Sequence, residues 1–244
     1  MKLAAFDIEI FKEIPEGESD WKKHRPLGIS CLAIMASDKR ERPILSYADA
    51  KTPRPLAAYE LKVAVKEMQR LANDGYVFVT VNGLGFDFDV LGEESGMVAE
   101  CADLALNHHV DLMVMSVAKL GWPVGLRALA MGAGVESKLK EVTLKDGSTY
   151  DDMHGAKAPE LWQAGEYEAV LAYLKQDVKA TLETAEAALR LGYLGWFSTA
   201  GKWWKVDLPG GKLPIVADCL QWKRPDTSWM SNPLTRESLL AWTL

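Results

Sequence analysis

Residues 1–10 read MKLAAFDIEI. From Leu3 to Ile10 the stretch is apolar except for Asp7 and Glu9, the pattern of a strand buried on both faces. Residues two apart on a strand project to the same side, so both carboxylates leave the sheet from one face. Unpaired carboxylates are costly to bury. Either the strand ends at solvent and its acids reach water, or a positive partner compensates them. A divalent metal ion suits an oxygen-only cluster of this kind.

The segments that follow predict a sheet around that strand. Residues 11–26 are polar and marked by Pro and Gly, which predicts a loop, closing on the basic run Lys22, Lys23, His24 and Arg25. A solvated loop is the plain reading of that run, and a phosphate-contacting loop the functional one. Residues 28–37 (GISCLAIMAS) and 43–47 (PILSY) read as second and third strands, the second antiparallel to the first. Residues 54–74 carry Leu61, Val65, Met68 and Leu71 on one helical face. Next comes an apolar strand, YVFVTV at 76–81, then the turn Asn82-Gly83-Leu84-Gly85 and a helix opening Phe86-Asp87-Phe88-Asp89. A strand–turn–helix step sets its turn at the carboxyl end of the strand, where open α/β sheets carry their sites.

Farther on, residues 108–119 read as a strand end running into a helix, and 126–131 as a short helix. Asp146-Gly147 signals a hairpin. Residues 166–191 form the longest helix pattern, with Leu171, Leu174, Val178, Leu182, Ala185 and Leu189 as its stripe. Tyr173 and Asp177, four apart, stack on one side of it. The expected organisation is a main domain over 1–191 and a Trp-rich extension, 192–244, packed on it. In that extension Gly201-Lys202-Trp203-Trp204-Lys205 alternates basic and aromatic residues, as a stacking platform for single strands would. Clustered Trp more often builds a local core, and that reading is favoured.

Composition narrows the function. The chain has 244 residues and a formal net charge of −6, which argues against holding nucleic acid by a broad basic surface. It leaves room for an enzyme whose acidic centre is neutralised by metals. No apolar run approaches a membrane span, so no membrane partner is expected. Cys31, Cys101 and Cys219 lack metal-ligand spacing and read as reduced thiols of a cytoplasmic protein. His108, His109 and His154 fall at no zinc spacing and read as satisfied or exposed histidines.

Three motifs together resemble the DEDD 3′–5′ exonucleases, the superfamily of proofreading domains. Phe6-Asp7-Ile8-Glu9 matches the Asp-x-Glu of the first motif. Asn82-Gly83-Leu84-Gly85-Phe86-Asp87 matches the second motif in the form used by family B DNA polymerases. Tyr173-Leu174-Lys175-Gln176-Asp177 matches the Tyr-x-x-x-Asp of the third. Each is weak alone; three in order on suitable elements are specific, and they cover roughly residues 1–190. Relatives with a catalytic His carry it five residues before the last Asp. That position is Ala172 here, which assigns the tyrosine subtype. Beyond the resemblance, no polymerase palm or fingers are expected, since the chain stops at Leu244.

The resemblance implies an α/β, ribonuclease H-like fold: a central mixed sheet of five or six strands with helices on both faces. It implies a metal-dependent 3′–5′ exonuclease releasing nucleoside 5′-monophosphates from single-stranded 3′ ends, DNA before RNA, with two divalent ions, Mg²⁺ or Mn²⁺. Asp7 would bridge the ions, Glu9 and Asp177 would hold the water-activating one, and Asp87 would help hold the second. Tyr173 would orient the attacking water, since a phenol of pKa about 10 is a poor base. Phe86 and Asn82 would contact substrate. Asp89 is turned about 200° from Asp87 on a helix and reads as an acid favoured by the helix dipole. The alternatives are an RNA-trimming exonuclease, a ribonuclease H-type endonuclease, which Tyr-x-x-x-Asp disfavours, and a catalytically silent nucleic-acid-binding module. A silent module would be expected to have lost a metal acid, and none is missing.

Overall fold

The computed structural model describes residues 1–15, 17–18, 20–48, 52–137 and 139–243. β1 (Lys2–Ile10) is the middle strand, and every residue from Leu3 to Ile10 except Asp7 is buried. β2 (Ile29–Ala36), buried along its whole length, runs antiparallel to it, with Asp7 opposite Ala33 and Glu9 opposite Cys31. β3 (Ile44–Tyr47) is antiparallel to β2 and forms an edge. α1 (Ala58–Asn73) carries the chain across to β4 (Tyr76–Thr80), parallel to β1 on its other side. α2 (Asp87–Ser95) and α3 (Val98–Asn107) lead to β5 (His109–Asp111), parallel to β4. Among the described residues the central sheet thus has five strands in the order β3-β2-β1-β4-β5.

Alternation along β1 sorts the layers. Phe6 points to one side, where its ring meets Phe88 of α2 at 5.2 Å, and Phe78 of β4 meets the same Phe88 ring at 6.4 Å. Asp7 and Glu9 occupy strand positions of opposite parity to Phe6, and so face the other layer. That layer is built on the longest helix. Before it come α4 (Leu112–Leu120), α5 (Leu126–Ala133), a hairpin of β6 (Val142–Thr143) and β7 (Thr149–Tyr150), and α6 (Ala158–Gln163). The helix itself is α7 (Tyr167–Leu191). Its residues Leu171, Leu174, Val178, Leu182 and Ala185 are buried as the spacing predicts, and Leu189 packs at the core's margin.

Two segments differ from the sequence reading. Among its described residues the 11–26 stretch contains one 3-10 turn, Trp21–His24; Lys22 and Lys23 are exposed as a solvated loop predicts, and Arg25 is half-buried. The helix expected from residue 54 begins at Ala58; Glu60 turns back to accept from the Ala57 amide at 2.7 Å and pairs with Arg54 at 2.8 Å. Cys31, Cys101 and Cys219 are free and buried, and burial pushes the Cys101 and Cys219 thiols up to about 12. No helix of the described residues is long and apolar enough to cross a membrane.

After α7 the chain forms a hairpin of β8 (Tyr193–Phe197) and β9 (Trp203–Asp207), then the short helices α8 (Val216–Leu220) and α9 (Arg236–Leu240). The Trp residues divide between two roles. Trp196 is buried and Trp204 meets Trp122 edge-on at 5.1 Å, which is core; Trp203 lies on the outer face beside Phe197 at 4.7 Å. The hairpin docks on α5 by backbone contact. A Cβ at Gly132 would stand 2.0 Å from the Gly195 carbonyl oxygen, so only glycine permits the approach. Replacing Gly132 with Ala should therefore lower stability by about 1–3 kcal/mol, because backbone cannot yield cheaply. Urea titration of the two proteins checks it, and an unchanged midpoint would show that the hairpin can leave α5 without cost.

Candidate active site

Asp7, Glu9 and Asp177 each present a carboxylate oxygen within 4.8 Å of the others. β1 supplies the first two from one face, and α7, packed across that face, supplies the third. Glu9 and Asp177 are buried and Asp7 is half-buried. They line a cleft of about 360 Å³ together with Asp87, Tyr173, Phe86 and Asn82. Every site residue expected from the sequence therefore lies at one place. Tyr173 sits one turn before Asp177 on α7 and is almost wholly buried.

Asp87, the first residue of α2, is buried, and its Oδ1 accepts from the Ile8 amide at 3.2 Å. Burial pushes its carboxyl up to about 6, opposed by hydrogen bonds with Asp7 and with the Ile8 amide. Carboxylates forced together in a place with little water call for a cation. The donor set is oxygen alone, which fits a hard divalent ion such as Mg²⁺ or Mn²⁺ and does not fit zinc's preference for nitrogen and sulfur.

The turn before Asp87 is held by groups the sequence reading did not single out. The Asp111 carboxylate accepts from Asn82 and Leu84 amides at 3.0 and 2.9 Å. It also caps α4 by accepting from Met113 and Val114 amides at 2.9 and 3.1 Å. Beside it the Gly83 amide donates to Thr80 Oγ1 at 2.9 Å, and that hydroxyl lies 2.8 Å from His109 Nε2. A Cβ on Gly83 would sit 2.2 Å from Thr80 Oγ1, which explains the glycine. His109 Nδ1 lies 3.1 Å from the Ala105 carbonyl, an acceptor, so it carries a proton and donates, and burial lowers the pKa of the ring. His109 is thus a satisfied core histidine, as read from sequence. Asn82 itself takes a left-handed backbone, φ 77°, at the head of the turn. An Asp immediately before an apolar helix is an N-cap signal, and it is the signal by which the sequence could have shown Asp111.

Asp89 corrects a reading. It is no ordinary helix-dipole acid: it is buried and pairs with Arg25 at 2.6 Å and Lys22 at 3.4 Å. Arg25 also pairs with Glu93, and Glu94 accepts from Leu27 and Gly28 amides at 2.8 and 2.7 Å. Lys22 and Arg25 of the basic run are thereby committed to the acidic face of α2, while Lys23 pairs within the loop with Asp20 at 3.5 Å. Asp87 and Asp89 do diverge as helix geometry requires, the first into the cleft and the second toward this strap.

Among solved structures the chain is similar to the family B DNA polymerase from the hyperthermophilic archaeon Pyrobaculum calidifontis, with a TM-score of 0.51 and 21% sequence identity. The likeness covers 77% of this chain and 24% of the polymerase, so the chain spans about a quarter of that protein's length. Product-bound and apo structures of exonuclease I are similar at TM-scores of 0.35 and 0.33 and 13% identity, over 78% of this chain and 43% and 42% of theirs. No protein family and no curated protein matches the chain. The polymerase likeness is one of fold, and it agrees with the ribonuclease H-like sheet expected from the motifs.

Two outcomes follow from this geometry. Asp89→Ala takes the buried partner from Arg25 and Lys22, and should cost about 1–3 kcal/mol, at the lower side of buried-pair losses because Arg25 keeps Glu93 and both cations keep some solvent. Calorimetry and tryptic cleavage at Lys22 and Lys23 measure it; an unshifted melt would show that the strap does not depend on this pair. His109 gives a pH dependence. Burial lowers its pKa, so the native ring binds fewer protons than the unfolded one, and its share of stability is present above about pH 6.5 and lost as pH falls below it. The melting-temperature gap between wild type and His109→Gln should narrow from pH 7.5 to pH 5, and a constant gap would refute the lowered pKa.

Proposed function

We propose that the protein is a metal-dependent 3′–5′ exonuclease of the tyrosine-type DEDD class, acting on single-stranded DNA ends. The observation that carries this reading is the convergence of Asp7, Glu9 and Asp177 oxygens within 4.8 Å in a cleft that Tyr173 and Asp87 also line. Motif order and a fold shared with a family B DNA polymerase support it. Asp7, Glu9 and Asp177 would hold one divalent ion, and Asp87 with Asp7 a second. When bound, such ions supply a water acidic enough to attack at neutral pH and charge stabilisation for the leaving oxygen.

The chain's own groups do the rest. Tyr173, rigidly buried on α7, offers a hydroxyl that orients the attacking water. Phe86, at the mouth of the cleft, gives an apolar face to the terminal base, and Asn82 offers an amide to the terminal nucleotide. Burial around the carboxylates strengthens their hold on cations relative to water.

The deciding experiment is digestion of 5′-labelled DNA and RNA oligonucleotides with Mg²⁺ or Mn²⁺. Laddering from the 3′ end, faster on DNA than RNA and absent on circular single strands, is expected; nicking of the circles would favour an endonuclease. Chelation should abolish activity, and turnover that survives exhaustive EDTA would exclude metal chemistry. Tyr173→Phe removes one positioning group and should lower kcat about 10- to 1000-fold. Asp87→Asn should nearly abolish cleavage with the fold intact. Wild-type rates for Tyr173→Phe across the pH range would leave its hydroxyl without a catalytic role.

A further inference from the structure

Two grooves open from the acid cleft, and the Trp21 indole borders both. One, of about 640 Å³, adjoins the cleft at Ile14 and Ala156. The other, of about 510 Å³, adjoins it at Asn82. Their charges differ. The first presents Glu13, Glu18, Asp152 and Glu160 against Lys157 and His154. In the second the charged groups are Lys22, paired with Asp89 at 3.4 Å, and Asp20, paired with Lys23 at 3.5 Å. A polyanionic backbone leaving the cleft is repelled along the first groove and not along the second.

The second groove has a built far wall. Ser238 and Leu239 of α9 form it, and three contacts fasten it to the turn that carries Asn82 and to the chain behind. Leu239 lies 3.0 Å from where a Cβ on Gly85 would stand. The Trp242 indole N–H donates to the Leu84 carbonyl at 2.7 Å. Arg236 donates to the Leu220 and Trp222 carbonyls at 2.7 and 2.8 Å, tying α9 to the segment before it. On the near side Phe86 meets Trp21 edge-on at 4.9 Å, and the Arg25 guanidinium stacks 4.8 Å from the indole centre. Trp21 is therefore braced on the strap that Asp89 anchors.

We propose that this groove seats a further nucleotide of the single strand whose end lies at the acids, with Trp21 as its stacking surface and the Ser238 side of α9 as the opposite wall. The proposal rests on the exonuclease reading, and it makes the C-terminal segment part of the substrate site. An aromatic face, one cation, an amide and a hydroxyl suit a base, sugar and phosphate taken without regard to sequence. The volume lies within the usual range for a small-ligand site.

The test is binding of a fluorescein-labelled (dT)8 by anisotropy, with Ca²⁺ in place of Mg²⁺, to wild type and three variants. Ser238→Trp fills the proposed groove from an exposed position, Trp21→Leu removes the stacking face, and Asp152→Trp fills the acidic groove. The first two should weaken binding about ten- to a hundredfold, and Asp152→Trp should leave it within twofold. Melting curves for all four confirm folding, and Ser238→Trp keeps the test alive if Trp21→Leu loosens the strap. Wild-type affinity in Ser238→Trp, or a larger loss in Asp152→Trp, overturns the proposal. Hydrolysis of p-nitrophenyl thymidine 5′-monophosphate and of 5′-labelled (dT)8 by the wild type separates the two ideas. Inertness toward both counts against the exonuclease reading, while the affinities still judge the groove.

Discussion

Mutual repulsion of the carboxylates at the end of β1 sets the terms for the rest of the molecule. Two full charges within 4.8 Å of one another repel by about 3–4 kcal/mol at an effective dielectric of 20. A chain free to relax would move them apart. Here it cannot, because Asp7 and Glu9 are locked into β1 by its ladder with β2, and Asp177 belongs to a helix whose apolar stripe is pressed on that sheet. Asp87 beside them is held in a dry place, and burial raises its pKa against the hydrogen bonds with Asp7 and the Ile8 amide. Burial of apolar side chains along β1, β2 and α7 stabilises an arrangement that electrostatics opposes, and a bound cation would turn the opposition into attraction.

A second constraint acts on the turn between β4 and α2. Four amides, from Asn82, Leu84, Met113 and Val114, converge on the single Asp111 carboxylate. One side chain thereby fixes the end of β4, the start of α4 and the direction in which α2 begins. Because α2 opens with Asp87, the fourth acid is aimed by the fold's own hydrogen bonding before any ligand arrives. The Gly83–Thr80–His109 chain closes the same turn from the strand side.

Much of this was legible in the sequence, and the reasons are physical. A strand with period-2 acids in an apolar run, and a helix with Tyr173 and Asp177 one turn apart, are local patterns that burial enforces directly. The antiparallel second strand was legible too, whereas the order of the five strands comes from the structure. What was not legible are partnerships between distant segments. Lys22–Arg25 looked like a solvated run because nothing local showed that the acid-rich face of α2, far along the chain, would meet it. Yet a basic run and the sequence DFDVLGEES are complementary charges, and that pairing was the available signal. The fastening of Trp242 to Leu84 carried no such signal, since an indole N–H seeking a carbonyl leaves no trace in spacing.

The same distant partnerships bear on how a chain of net charge −6 would take the polyanion proposed as its substrate. Long-range attraction is not available to it, so recognition has to be local. The strap commits Lys22 and Arg25 to Asp89 and Glu93, and Lys23 to Asp20, which leaves Trp21 braced and the groove beside it close to neutral. The opposite groove keeps its acids in excess. For the proposed substrate, charge on this surface would act mainly by exclusion, closing one path from the acids and leaving the other to stacking and packing. A site arranged in that way depends less on salt than one that gathers phosphates with lysines, because few counterions are released when the strand enters.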